Sequence, residues 1–244
     1  MIIQIKEHNA NYRRKDANAN EDGLWKNLIF ELFKEFMQFF APDLYPEIDF
    51  KMNTDFLQQE LHQQIINQKK GTKYTDQIVK VNLKNGKEKY ILIHIEIQAI
   101  GKDTFTERMF KYFYRIYDKL NHPIYAIARL TDARYKNHTD KFRYSFYGTE
   151  LTYAFNKYKF HEKDEEKLKQ SSNPFSLAVL AGIYSSETKN DIEKRYLFKQ
   201  KLLTLAINKY SDQEYYLSAL IYFIDYLLQI PEELGDKLKY ELPE

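Results

Sequence analysis

Two carboxylates and a carboxamide stand out by type and spacing: Asp76, Glu96 and Gln98. Glu96 and Gln98 close the run Tyr90-Ile91-Leu92-Ile93-His94-Ile95-Glu96-Ile97-Gln98, and on an extended strand alternate residues share a face. A hard divalent cation such as Mg²⁺ (or Mn²⁺ in its place) takes oxygen ligands and needs only one or two protein carboxylates beside a substrate phosphate. Asp76 and Glu96 supply that pair, and the backbone carbonyl of Ile97 offers a third oxygen at the strand end. A water acidified by such an ion could attack phosphorus while the ion offsets charge on the leaving oxygen. The Gln98 carboxamide is no base near neutral pH, so it would orient that water or hydrogen-bond the transition state. His94 either orients a ligand or sits in the core bonded to a neighbour. Alone, Asp76 also reads as a solvated strand-end residue; Glu96 is harder to read that way, because an unpaired charge in so aliphatic a strand is costly.

Whether the carboxylates meet depends on a hairpin. Residues 74–83 and 87–98 both alternate with period two around Lys84-Asn85-Gly86, as strands with one buried face do. A two-residue Asn-Gly turn would pair even with odd positions and mix the aliphatic and polar sets. A three-residue loop with Gly86 left-handed pairs Leu83 with Lys87. It gathers Val79, Val81, Leu83, Ile91, Ile93, Ile95 and Ile97 on one face, and so is the register that the pattern predicts. It places Asp76 opposite His94 and diagonal to Glu96, about 7–8 Å away, within reach of a shared ion.

The hairpin needs elements to hold it. Leu24, Leu28, Phe33, Phe36, Met37 and Phe40 recur at helical spacing and predict a helix from Leu24 to Phe40, stopped by Ala41-Pro42. Residues 1–23 read as a loose arm, and Ile48 to Leu57 is ambiguous, with room for a short strand. Phe105 to Leu120 predicts an amphipathic helix with Phe105, Met109, Phe113, Ile116 and Leu120 as its core stripe. Thr104 or Asp103 would cap it and Asn121-His122-Pro123 would end it. Arg108, Lys111, Tyr112 and Arg115 then form a face able to hold a phosphate backbone, or equally a solvated surface. Ile124 to Leu130 predicts another strand, and residues 142–147 and 151–155 a second hairpin around Gly148. Residues 161–173 read as a linker. From Pro174 the pattern is helical over about 175–188, 190–209 and 212–229. Leu217, Leu220, Ile221, Ile224, Leu227 and Leu228 make an apolar surface broad enough to form a homodimer or to cover one face of the sheet. This order predicts an α/β core (24–160) with a mixed sheet, and a helical C-terminal segment (174–235).

Composition narrows the function classes. The chain has 244 residues, 21 Tyr, 17 Phe, no Cys and a formal net charge of +2. Thiolate metal sites and disulfides are excluded. Nucleic-acid binding would rest on local basic patches, not a global field. No run suits a signal peptide or a membrane span, so a cytoplasmic protein without membrane partners is expected.

Asp, then about twenty residues on Glu-x-Gln along a strand, then a helix with Arg and Tyr, resembles the PD-(D/E)XK nuclease superfamily. More narrowly the chain is similar to its transposase-like branch, the recombination-promoting nuclease/putative transposase family. The matching strings are GTKYTDQIVKVNLKNGKEKYILIHIEIQ, FTERMFKYFYRIYD, NPFSLAVLAGIYSS and FIDYLLQIPEEL. The resemblance implies a restriction-endonuclease-like core and a Mg²⁺-dependent endonuclease acting on DNA. It makes Asp76 and Glu96 metal ligands and sets Gln98 where the superfamily has lysine, as the branch commonly does. Lys80, four residues from Asp76 and so about 13 Å along a strand, is a poor substitute. The superfamily sometimes adds an acidic residue from the first helix, for which Glu31 or Glu35 is the candidate. A non-catalytic nucleic-acid-binding or interaction protein on the same scaffold, or a nuclease acting on RNA, are the alternative expectations.

Overall fold

The computed structural model describes residues 21–57, 77–85, 91–98, 105–130 and 140–243. It divides into two compact units, Phe40–Lys159 and Met1–Phe39 with Phe160–Glu244.

The first unit is built on a five-stranded sheet in the order β1-β2-β3-β4-β7. Its strands are β1 (Asp55–Phe56), β2 (Gln77–Val81), β3 (Ile91–Gln98), β4 (Ile124–Leu130) and β7 (Asn156–Lys159). The β1–β2 and β2–β3 pairs are antiparallel, while β3–β4 and β4–β7 are parallel. The sheet is therefore mixed, as expected. Parallel neighbours need a crossover, and the helix Phe105–Leu120 supplies it between β3 and β4. This helix is α3; α1 (Glu21–Glu31) and α2 (Phe33–Phe40) precede it. Asn121, in the left-handed region at φ 48, ends α3, and its N–H bonds to the Tyr117 carbonyl. Asn tolerates that conformation and suits a helix C-terminus.

The β2–β3 register has the expected parity but is displaced by two residues. Gln77 stands opposite Ile95, Ile78 opposite His94 and Val81 opposite Ile91. His94 thus faces Ile78 and not Asp76, which lies outside the described residues. Leu83 bridges to Ile48, and Lys87, its expected partner, lies outside the described residues. Nor is burial confined to the odd set: Val79 and Val81 are buried, and so is Ile78 on the other face, against Tyr112 and Ile116 of α3.

A second, two-stranded sheet stands apart. Strands β5 (Lys141–Phe146) and β6 (Thr149–Ala154) form the hairpin expected around Gly148. Phe142 at its root stacks on Phe110 of α3, centroids 5.1 Å apart, and Tyr153 lies 4.7 Å from Phe113.

The other unit is helical, with α1, most of α2, α4 (Glu165–Gln170), α5 (Phe175–Glu187), α6 (Ile192–Tyr210), α7 (Glu214–Leu227) and α8 (Glu232–Glu241). The first helix begins at Glu21, earlier than expected, and joins these helices instead of the sheet. Its Trp25 is fully buried, with Phe223 of α7 edge-on at 4.6 Å and Phe160 at 5.5 Å. The expected linker contains α4, whose Asp164 side chain accepts from the Glu166 and Lys167 amides and whose Leu168 is buried. The apolar surface of α7 is not free for a homodimer. Leu217, Leu220, Ile224, Leu227 and Leu228 are buried, with α1, α5 and α6 packed on that helix.

Candidate active site

Glu96, Ile97 and Gln98 end β3, whose backbone and ladder are described. Glu96 stands beside Ala128 of β4, and Gln98 beside Leu130. Ala128 is fully buried against a cluster that includes Phe105 and Met109 of α3. The position of Glu96 is therefore next to a strand residue packed by the first turns of α3. Small residues, Ala126 and Ala128, let the helix approach β4 closely there. Among the described residues no group of three or more His, Asp or Glu could hold a metal ion.

Helix α3 separates the residues that its spacing grouped. Tyr112 is buried between Ile78 and Ile116. It supports the sheet, and its expected place on a phosphate-holding face is corrected. The reason is geometric: Phe105, Met109, Tyr112 and Ile116 repeat at intervals of four, three and four, the stripe that a helix lays on a sheet. Phe113, expected in that stripe, packs instead toward the β5–β6 hairpin. Lys111 is exposed and paired with Glu107 at 2.6 Å, one turn back. Arg108 places its guanidinium carbon 5.7 Å from the Phe105 ring centre, and Arg115 is partly exposed.

Glu31 and Glu35 belong to the helical unit. The Glu35 carboxylate accepts from the Tyr216 hydroxyl at 2.6 Å, and the Glu31 carbonyl accepts from Tyr215 at 2.8 Å. The Glu35 carboxylate thus has a structural partner there, while the Glu31 bond is made by its backbone.

Two features escaped the sequence reading. Tyr125 of β4 donates to Asp43 at 2.7 Å; burial, then that bond, pushes its phenol well above the ordinary range. Residues so far apart in sequence give no local signal. The other feature is the aromatic tip of the second hairpin: Tyr144, Phe146 and Tyr147 are exposed. The Tyr147-Gly148 turn was the available signal, since both residues have positive φ.

Residues 20–128 match the family of putative transposases described as YhgA-like. Over that stretch the chain is similar to this family, in line with the transposase-like branch that its strings resemble. The matched residues include Asp76, Glu96, Gln98 and all of α3. No curated protein and no solved structure matches the chain. Among the described residues no helix is long and apolar enough to cross a membrane.

Proposed function

We propose that this protein is a Mg²⁺-dependent endonuclease that hydrolyses DNA phosphodiester bonds on a PD-(D/E)XK-like core, in a recombination or transposition-like process. The observation that carries the reading is the β2–β3 ladder, in which Gln77 lies opposite Ile95. Asp76 and Glu96 are the residues next in sequence to that pair. The family match adds the support of a group of putative transposases.

The donor set, two carboxylates and the Ile97 carbonyl, is all oxygen and suits Mg²⁺ better than a soft metal. The ion, when bound, would supply a nucleophilic water and charge stabilisation. Gln98 orients by hydrogen bonding and moves no proton. Arg108, Lys111 and Arg115 hold the phosphate backbone in register and carry no base specificity. With Gln98 where lysine is usual, one rival stays in view: a DNA-binding protein on this scaffold that has lost hydrolysis. DNA and RNA duplexes of one sequence, incubated with Mg²⁺, test the reading. Cleavage of DNA alone is expected. Cleavage of RNA alone would move the substrate class, and binding of DNA without cleavage would favour the rival.

A further inference from the structure

The β5–β6 hairpin lies beyond the residues that match the family, and it has a feature that packing does not explain. On one face its root pair, Phe142 opposite Tyr153, is anchored on α3. The next two pairs on that face, Tyr144 opposite Leu151 and Phe146 opposite Thr149, run out past the helix. Tyr144 is 48% exposed and Phe146 60%, and Tyr147 at the turn is 92% exposed. The aromatic surface continues inward through Phe142 and Phe110 to the exposed Tyr114, whose ring centre is 6.4 Å from that of Phe110.

Tyr147 is the sharpest of these observations. Its φ is 40 and that of Gly148 is 82. A two-residue turn with both φ positive favours Asn-Gly, and a bulky residue there is a conformational outlier. The chain holds an aromatic ring at a strained position with almost no burial in return. Such strain marks positions whose side chain is wanted for another purpose.

Charge indicates the partner. Helix α3 carries Arg108, Lys111, Arg115 and Lys119 against Glu107 and Asp118, and the stretch 141–159 carries Lys141, Arg143, Lys157 and Lys159 against Glu150. These two stretches are positive by two and by three, whereas the whole chain is positive by two. The remainder is thus acidic by three, and the positive charge is concentrated in α3 and in the stretch that includes the hairpin. Exposed rings beside cations suit single-stranded nucleic acid, whose bases stack on aromatic side chains while cations track the phosphates. A duplex keeps its bases stacked and offers such rings little.

We propose that the β5–β6 hairpin is an arm that stacks on unpaired bases of single-stranded DNA. The proposal rests on the reading that the protein acts on DNA, and deepens it by naming the strand form held. The test is fluorescence anisotropy with a labelled oligodeoxythymidine in EDTA, where no metal-dependent cleavage occurs. Tyr147→Asn is the informative variant, because Asn is well suited to this turn. It should fold and melt at least as high as the wild type, yet bind about tenfold more weakly, the loss of roughly one stacked base. Tyr147→Trp should keep the affinity and Tyr147→Leu should not. Unchanged affinity in Tyr147→Asn would overturn the arm, as would a wild type that binds duplex but not single strands. Dimerisation lost in Tyr147→Asn with oligonucleotide affinity intact would overturn it in favour of a self-contact. None of these results touches the hydrolysis reading, which Mg²⁺-dependent plasmid nicking tests separately.

Discussion

Truncating Tyr112 tests the division of α3 into a buried and a solvent-facing side. Its side chain fills the space between α3 and β2, beside Ile78 and Ile116 and bordered by Leu57, Leu120 and Ile124. At 3% exposure it has nowhere to relax. Tyr112→Ala removes a whole ring, and aromatic-to-alanine changes in cores cost about 3–5 kcal/mol. With a urea m-value of about 2 kcal/mol/M, the midpoint of the sheet unit should fall by roughly 2 M. Lys111→Ala, one residue away, breaks an exposed pair with Glu107 that is worth at most about 0.5 kcal/mol. It should leave the midpoint almost unmoved while lowering the slope of log K against log salt for DNA by about one. Far-UV circular dichroism is the suitable probe, because the single tryptophan, Trp25, belongs to the helical unit. Equal midpoints for Tyr112→Ala and Lys111→Ala would refute the assignment of the two sides.

Other outcomes follow from single contacts. A Cβ added at Gly182 would lie 2.8 Å from the Phe160 Cε2 atom, and Phe160 is fully buried. Overpacking of about 1–3 kcal/mol outweighs the gain of about 1 kcal/mol in helix propensity, so Gly182→Ala should melt lower and Phe160→Leu should restore part of the loss; a higher melting point would contradict the contact. Glu165 is held below the ordinary carboxylate range by Lys169 first and then by Tyr184. A carboxylate with a depressed folded pKa contributes stability above its unfolded pKa of about 4.3 and loses it as pH falls through the folded value. The melting-point gap between wild type and Glu165→Gln should therefore close on acidification, and a constant gap would sink the linkage. Titration with Ca²⁺ or Mg²⁺ should raise the melting temperature by mass action, and Asp76→Ala should abolish the rise.

Local pattern made much of the fold legible. The stripe from Leu24 to Phe40 and the alternation on either side of Lys84-Asn85-Gly86 reported helix and strand directly, since each needs only its own periodicity. Parity of the β2–β3 ladder was legible because a wrong choice would expose the aliphatic set. The displacement by two was not, because a two-residue slip keeps every side chain on its face. Helical spacing alone does not separate Tyr112 from Phe113, which are neighbours on α3. The distinction lies in what packs on α3: the sheet takes Tyr112 and the β5–β6 hairpin takes Phe113, a tertiary fact with no local trace. The same holds for α7, whose covering helix α1 lies near the other end of the chain. In residues 161–173 a polar composition hid a short helix whose cap, Asp164, and anchor, Leu168, are single residues. Of the candidate site, Glu96 and Gln98 were legible as strand positions.

Nicking of supercoiled plasmid in Mg²⁺ by the wild type, Asp76→Ala and Glu96→Ala is the most direct test of the central claim. The account predicts metal-dependent nicking by the wild type, with loss of at least about a hundredfold in each variant, since each removes one of two carboxylate ligands from the ion. Equal nicking by all three proteins would contradict it.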